Sequence, residues 1–182
     1  MKRLVVGVAL AVLAASPAWA ALKVGDKAPD FTLPGAKAGA PFTYSLKSHL
    51  KQGPVVLYFF LGAFGSGCNI ETHTFAEAAD QYKALGASVI GVSRDEMGEL
   101  TRFSSDTRYC SGKFPLAADA KGDVVRAYDA VFAAQPEYAS RTSYVIAPNG
   151  KIIYEYTSLD PTKHVENTMA ALKAWKAKGG KA

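Results

Sequence analysis

The sequence has few of the side chains that build metal centres or disulfide networks. Its 182 residues include only two cysteines and three histidines. The histidines, His49, His73 and His164, are dispersed, and the C-x4-H spacing of Cys68 and His73 is too weak to indicate a metal site without further ligands. No cysteine stands three positions before or after Cys68, which excludes the C-x-x-C motif of dithiol oxidoreductases and disulfide isomerases.

Two further patterns are missing, and each absence narrows the class of protein. The formal net charge of +5 is a mild excess, and the basic residues are scattered except in the C-terminal stretch "KAWKAKGGKA". No pattern of interleaved basic and aromatic residues is present, so the sequence does not indicate binding to nucleic acid. Neither an internal repeat nor a linker divides the chain, which predicts one folded domain.

Residues 1–20, "MKRLVVGVALAVLAASPAWA", have the design of a secretory signal peptide. Lys2 and Arg3 precede an apolar stretch, and the segment ends in the small-x-small pattern A-W-A. The alternative is an uncleaved membrane anchor, but the apolar run is short for a membrane span. We therefore predict cleavage after Ala20, no stable membrane insertion afterwards, a periplasmic or secreted location, and one domain over residues 21–182.

Alternating strand and helix patterns predict an α/β fold. The apolar run "PVVLYFF" (54–60) is typical of a central strand buried on both faces, and "ASVIGVS" (87–93) predicts a second. Asn-Gly between "SYVIA" and "KIIYEYT" predicts a hairpin. Apolar residues at helical spacing predict helices over 69–85, 95–105, 121–130 and 161–177. This order predicts a thioredoxin-like sandwich, with a central mixed β-sheet flanked by helices.

Two local expectations are more specific. Residues 21–40 are rich in glycine, proline, lysine and aspartate, which predicts an extended segment with turns. The buried face of the helix over 69–85 is predicted to carry Ile70, Phe75, Ala78, Ala79 and Tyr82.

The stretch "LGAFGSGCNIE" places Cys68 where a buried strand passes into a helix. Three interpretations are open: a nucleophile, half of a structural disulfide, or a small apolar core residue. Unpaired backbone N–H groups and the helix dipole favour negative charge in the first helical turn, which increases the thiolate fraction. Gly62, Gly65 and Gly67 would let further N–H groups approach as an anion nest. Such a thiolate can attack a peroxide and form a sulfenic acid, which a second thiol condenses to a disulfide.

These segments are similar to peroxiredoxins of the alkyl hydroperoxide reductase and thiol-specific antioxidant type, above all to the bacterioferritin comigratory protein (PrxQ) branch. The similarity extends over nearly all of residues 21–182. It is carried by "VGDKAPDFTLPG", "VVLYFF" with "GCNIE", "LGASVIGVSRD", "FPLAADAKGDVVRAYDAV" and "RTSYVIAPNGKI".

The resemblance implies roles for four residues. Cys68 matches the peroxidatic cysteine, and Arg141 matches the arginine that stabilises its thiolate and orients the peroxide. Glu71 matches the glutamate that holds this arginine and the active-site helix. The common position of the resolving cysteine, five residues after the first, holds His73 here. Cys110 lies in the region after the next helix, where some relatives carry the resolving cysteine, so the resemblance implies this role for Cys110.

The activity implied is that of a thiol-dependent peroxidase, which reduces hydrogen peroxide or alkyl hydroperoxides through a cysteine sulfenate. The implied partners are the peroxide and a thioredoxin-like or other dithiol reductant, and the implied assembly is a monomer or homodimer. No metal, haem or flavin cofactor is implied, because sulfur carries the chemistry.

The sequence departs from the family at its motif Pro-x-x-x-Thr/Ser-x-x-Cys. Leu61 stands at the proline position and Gly65 at the threonine position. Leu61 can still shield the cysteine, but Gly65 has no hydroxyl to donate, and Ser66 lies one position along. An alternative function is therefore a non-peroxidase redox partner or sensor module with a weakened active site.

Overall fold

The computed structural model describes residues 21–180, and the predicted signal peptide lies outside the described residues. A seven-stranded mixed sheet, in the order β2-β1-β5-β4-β3-β6-β7, confirms the predicted central sheet flanked by helices. Its elements are β1 (Thr32–Lys37), β2 (Ala40–Ser45), α1 (Leu46–Leu50), β3 (Val55–Phe59), α2 (Ser66–Ala84), β4 (Ser88–Ser93), α3 (Met97–Ser105), β5 (Leu116–Ala118), α4 (Asp123–Ala127), β6 (Thr142–Ile146), β7 (Ile152–Thr157) and α5 (His164–Ala177).

Strand β3 is buried along its whole length because helices cover both faces of the sheet. Alternate residues of a strand point to opposite faces. Val56 and Tyr58 pack in the apolar cluster formed with α2, α3 and α5, whereas Val55 and Leu57 pack in the cluster formed with α1 and α4. The continuous apolar run "PVVLYFF" thus serves two cores at once.

The register of the sheet brings four separate chain segments to one edge. β3 and β4 are parallel, with Phe59 opposite Val92. β6 is antiparallel to β3, with Thr142 opposite Phe59, and β7 places Thr157 opposite Thr142. The loop after β3, the residues after β4, the residue before β6 and the residues after β7 therefore meet at the same edge.

Strand β1 is an element that the sequence pattern did not predict. Residues 21–40 were expected to be extended with turns, in part because Pro34 and Gly35 are typical of turns. Within β1, Pro34 is opposite Thr43 of β2, but the short β5 pairs only with Gly35 and Ala36. Pro34 therefore lies outside the β1–β5 ladder, where its missing N–H is tolerated.

Helix α2 begins at Ser66, and its buried face differs from the prediction at one end. Ile70 was expected on this face but is 51% exposed, whereas Glu71 and Thr72 are fully buried. The buried stripe starts from Cys68 and continues three and four positions later, so polar residues occupy its first turns. Farther along the helix, Phe75, Ala78 and Tyr82 are buried as predicted, and Ala79 is half-buried.

Helix α5 closes the chain against the same cluster as α2. Val165, Met169 and Leu172 are buried, and Trp175 packs partly buried beside them, which confirms the predicted packing stripe. Over residues 21–180, no helix has the length and apolar character that crossing a bilayer requires.

Tyr58 lies across Gly91 of the neighbouring strand. A Cβ atom at position 91 would lie 2.6 Å from Tyr58 Cζ and 2.8 Å from Leu116 Cδ2. The Tyr58 ring stacks on Phe75 with 4.4 Å between ring centroids, and its hydroxyl lies 3.1 Å from Thr72 Oγ1. The absence of a side chain at position 91 thus allows a fully buried tyrosine to connect β3 with α2.

We predict that Gly91→Ala destabilises the protein. The new methyl group would overlap Tyr58 and Leu116 in a closely packed core, where overpacking costs about 1–3 kcal/mol. The free energy of unfolding, from urea denaturation, measures this. Gly98→Ala is the matched control, because Gly98 lies in α3 and, apart from the adjacent residues and the backbone of its own helix, no described atom lies within 4 Å of the new Cβ. An equal stability of the two variants would contradict the prediction.

Candidate active site

Cys68 is the third residue of α2 and faces inward from the helix start. Gly65 is the N-cap, and the thiol is 3% exposed. The Nη2 group of Arg141 donates a hydrogen bond to Cys68 Sγ at 3.6 Å. The two residues are far apart in sequence, but the antiparallel pairing of β6 with β3 places Arg141 beside the helix that follows β3.

The guanidinium of Arg141 is held on three sides. Nη1 donates to Glu71 Oε2, Nε donates to the carbonyl of Leu159 at 3.2 Å, and Nη2 donates to the sulfur. Its side chain is 5% exposed. A planar cation with a partner at each nitrogen has little freedom to rotate, so its orientation toward the sulfur is fixed.

Gly67 permits the close approach of Arg141 to the helix. A Cβ atom at position 67 would lie 2.9 Å from Arg141 Nη2, which is too close for a real contact. The glycine therefore opens the space through which the guanidinium reaches Cys68.

Asp95 fixes the loop that leads into α2. Its Oδ2 accepts the backbone N–H of Ala63 at 2.8 Å and the hydroxyl of Ser93 at 2.7 Å. Sequence reasoning did not single out this residue, although an acid two positions after a buried strand, in "GVSRD", is a signal that could have found it. Phe64 of the same loop has a positive φ of 61° and packs against Phe103.

An open cavity of about 440 Å³ leads to Cys68. Residues 61–63 and 65–67 form one wall, and Gln135, Tyr138 and Arg141 contribute another. Because only a small part of the sulfur is exposed, the cavity admits a small molecule to it rather than a folded partner.

The glycine loop brings its backbone close to the sulfur. A Cβ atom at Gly65 would lie 3.8 Å from the sulfur. Position 65 therefore points at Cys68, as the family motif requires, but carries no hydroxyl there. Ser66 lines the cavity.

Beyond Glu71 lies His164, a buried histidine whose part in the site the sequence did not indicate. Its Nε2 lies 3.0 Å from the carbonyl of Ser158, which can only accept, so Nε2 carries the proton. Nδ1 then presents a lone pair, which accepts the hydroxyl of Ser143 at 2.8 Å and lies 3.5 Å from Glu71 Oε1. Oε1 is buried and has no other partner in the described chain.

Burial favours the neutral form of both members of this pair. Burial raises the pKa of Glu71 to about 8, although Arg141 opposes the change. Burial also lowers the pKa of His164 to about 4, so the imidazole is neutral at neutral pH. The lone pair on Nδ1 already accepts the hydroxyl of Ser143, so Glu71 Oε1 lies beside the neutral imidazole without a hydrogen bond to it.

Cys110 is a second buried thiol and is not bonded to Cys68 in this structure, where both cysteines are free. Its Sγ donates to the carbonyl of Phe114 at 3.4 Å, and burial raises its pKa to about 11. Both thiols belong to the same apolar cluster. Phe64, before α2, contacts Tyr109 with ring centroids 6.1 Å apart, which joins the two thiol-bearing segments.

The other two histidines lie outside this arrangement. His73 is exposed and lies 3.5 Å from Glu77, and His49 stacks on Tyr44. Among residues 21–180, no three histidine, cysteine or acidic side chains are grouped as metal ligands.

Comparison with the sequences of known proteins agrees with the family resemblance that the sequence motifs indicate. Residues 24–155 match the profile of the AhpC/TSA family. A Mycobacterium tuberculosis protein classed as a peroxiredoxin is 30% identical over 156 residues, which is 84% of this chain and 97% of that relative. Peroxiredoxin Bcp of Xanthomonas campestris is 26% identical over 149 residues, covering 79% of this chain and 90% of the relative.

Solved structures give the same result for the fold. The crystal structure of peroxidoxin BcpB from Mycobacterium tuberculosis superposes with a TM-score of 0.74 and 29% identity, covering 84% of this chain and 97% of that one. A cysteine variant of PrxQ from Xylella fastidiosa gives a TM-score of 0.75 at 23% identity, over 86% and 99% of the two chains.

We predict that Gly67→Ala slows the reaction of Cys68 with iodoacetamide at neutral pH. The new methyl group would displace the guanidinium of Arg141 and weaken its charge-assisted bond to the sulfur, a loss of about tenfold in rate. Gly65→Ala is the matched control, because its methyl group fits with contacts of 3.4 Å or more. Equal alkylation rates in the two variants would show that Arg141 does not activate the thiol.

We predict that His164 makes the protein less stable as the pH falls from about 6.5 to about 4. In that range the unfolded chain binds a proton at this position and the buried imidazole does not, so acidification favours unfolding by up to about 3 kcal/mol. The measurement is urea denaturation of wild type and His164→Asn at several pH values. The difference between the two curves should shrink on acidification, and a constant difference would contradict the prediction.

Proposed function

The chain belongs to the AhpC/TSA family and is a thiol-dependent peroxidase of the peroxiredoxin type, and we propose that Cys68 is the sulfur that carries its chemistry. The observation that supports this assignment most directly is the hydrogen bond from the buried Arg141 to Cys68 Sγ at the base of an open cavity. The alternative of a non-peroxidase redox module is not favoured by these relationships.

The first step transfers one oxygen atom from the peroxide to the sulfur. The Cys68 thiolate attacks the terminal peroxide oxygen with an electron pair, so that an S–O bond forms as the O–O bond breaks. The leaving oxygen takes up a proton and departs as water or an alcohol, and the sulfur becomes a sulfenic acid. Arg141, fixed by Glu71, stabilises the thiolate and the negative charge that develops on the departing oxygen.

Glu71 bears on this charge balance through its contact with Arg141. Burial raises the pKa of Glu71 and the guanidinium opposes that change, so the same cation that faces the sulfur also stabilises the carboxylate.

Cys110 is the proposed resolving thiol. Its thiol attacks the Cys68 sulfenic acid, a disulfide forms, and water leaves. Support comes from the shared apolar cluster and from the contact of Phe64 with Tyr109. Because Cys110 is fully buried and bonded to Phe114, its turn must open before a disulfide can form. A thioredoxin-like or other dithiol protein then reduces the disulfide and restores both thiols.

Residues 1–20 support a further part of the proposal, that the enzyme is exported. Their charge, apolar stretch and A-W-A ending are those of a cleavable signal peptide, so the enzyme would act in the periplasm or outside the cell. Sequencing of the N-terminus of protein recovered from the periplasm tests this, and a chain that still begins with Met1 would contradict it.

We predict that one equivalent of hydrogen peroxide converts the reduced protein to a Cys68–Cys110 disulfide. Intact-mass spectrometry should show a loss of two mass units, and peptide mapping should locate the bond. Cys110→Ser should stop at the sulfenic acid, a gain of one oxygen, and Cys68→Ser should not react. Equal peroxide consumption by wild type and Cys68→Ser would overturn the assignment of Cys68. A sulfenic acid that persists in wild type would overturn only the role of Cys110.

We predict that Gly65→Thr accelerates the reaction with peroxide. The backbone at Gly65 has φ −67° and ψ 140°, which threonine adopts readily, and its Cβ would lie 3.8 Å from the sulfur. The added hydroxyl can bond to the thiolate and the peroxide, a gain of about tenfold to a hundredfold in rate. Stopped-flow measurement of the second-order rate constant tests this, with Gly65→Ala as the control. A threonine variant no faster than the alanine variant would contradict the prediction.

A further inference from the structure

A second cleft lies beside residues 133–138, a segment that also forms part of the wall of the active-site cavity. Gln135 and Tyr138 of this segment line the active-site cavity, whereas Ala133 and Pro136 line the second cleft. The cleft has a volume of about 390 Å³, within the range of small-molecule sites. Its other walls come from Arg94, Gly122, Val125, Arg126 and Val131.

Two guanidinium groups converge at one end of this cleft. Gly122 has a φ of 72°, and the position that a Cβ atom would take there lies 3.0 Å from Arg94 Cζ and 3.1 Å from Arg126 Nη1. The missing side chain therefore makes room for both cations. Two positive charges that are brought together in this way repel each other unless an anion lies between or beside them.

Among the described residues, a carboxylate neutralises only one of these two arginines. Arg126 binds Asp123 at 2.6 Å. Arg94 has no carboxylate partner in the part of the chain that the structure describes. Its Nη1 donates to the carbonyl of Pro136 at 2.8 Å, while its Nε is buried under Gly122 without a partner. Arg94 is thus a fixed cation at the cleft that lacks an anion.

The remaining walls of the cleft are apolar. They consist of valine, alanine and proline side chains, which offer no hydrogen bonds to a polar ligand but favour a hydrocarbon chain. A ligand that satisfies both ends carries a negative charge at one end and an apolar tail at the other. Guanidinium groups match carboxylates in geometry as well as charge.

We propose that this cleft binds a small amphipathic carboxylate, with its carboxylate between Arg94 and Arg126 and its hydrocarbon tail against Val125, Val131 and Ala133. The ligand would contact the same segment that carries Gln135 and Tyr138 into the active-site cavity. The site is separate from Cys68 and does not depend on the proposed peroxidase chemistry.

The test uses octanoate as the probe, with 1-octanol and acetate as ligands that lack the charge or the tail. Isothermal titration measures affinity, and amide chemical shifts in a ¹⁵N-labelled sample locate the site. Octanoate should bind at least about tenfold more tightly than either control. The shift changes should centre on Gly122 and Val131 rather than on Gly67 and Cys68.

Variants distinguish binding of octanoate in the cleft from non-specific attraction of the anion to a basic protein. Arg94→Gln and Arg126→Gln should each weaken octanoate binding about tenfold, and Ala133→Phe should block it by filling the cleft while leaving both arginines in place. Lys121→Gln removes a nearby exposed charge that does not line the cleft and should leave the affinity unchanged. Equal binding of octanoate and 1-octanol, shifts centred on Cys68, or full affinity in both arginine variants would overturn the proposal.

Discussion

The placement of one buried cation determines the arrangement of the active site. Arg141 is almost wholly removed from water, and a buried guanidinium is tolerated only when acceptors surround it. Its partners are Cys68 and Glu71 on α2 and the carbonyl of Leu159 after β7. The guanidinium therefore ties three chain segments together at the edge of the sheet. The space for it exists because Gly67 has no side chain.

One positive charge faces two acidic groups in this arrangement, Glu71 and Cys68. Burial favours the neutral form of Glu71, whereas the guanidinium of Arg141 favours its ionised form. Cys110 is a neutral buried thiol at neutral pH, because burial raises its pKa and the charge of Lys37 offsets only part of that rise. The two cysteines thus differ in environment rather than in burial, a difference that fits the attacking and resolving roles proposed for them.

The sequence predicted best what depends on local pattern. The strands β3 and β4 were predicted from continuous apolar runs, and the β6–β7 hairpin from Asn-Gly between two strand-like runs. Each of these signals involves only a few consecutive residues. Cys68 was singled out by its place between a buried strand and a helix, and Arg141 and Glu71 by family resemblance. Only the sheet register explains why the three residues meet. The burial of polar side chains was not predictable. Ile70 was expected on the buried face of α2, but Glu71 is buried instead because its partner Arg141 comes from a distant segment. His164 was not singled out either, because Glu71, which lies beside it, is also far away in the sequence.

The close crossing of Tyr58 over Gly91 has a consequence for how this sequence can change over time. A residue larger than glycine at position 91 needs the space that the tyrosine ring now fills, while a smaller residue at position 58 would leave a void above the glycine. The order of substitution is therefore constrained. A lineage must first accept smaller or shifted side chains at positions 58 and 116 before position 91 becomes free to vary, so the identity of one residue is historically contingent on the others.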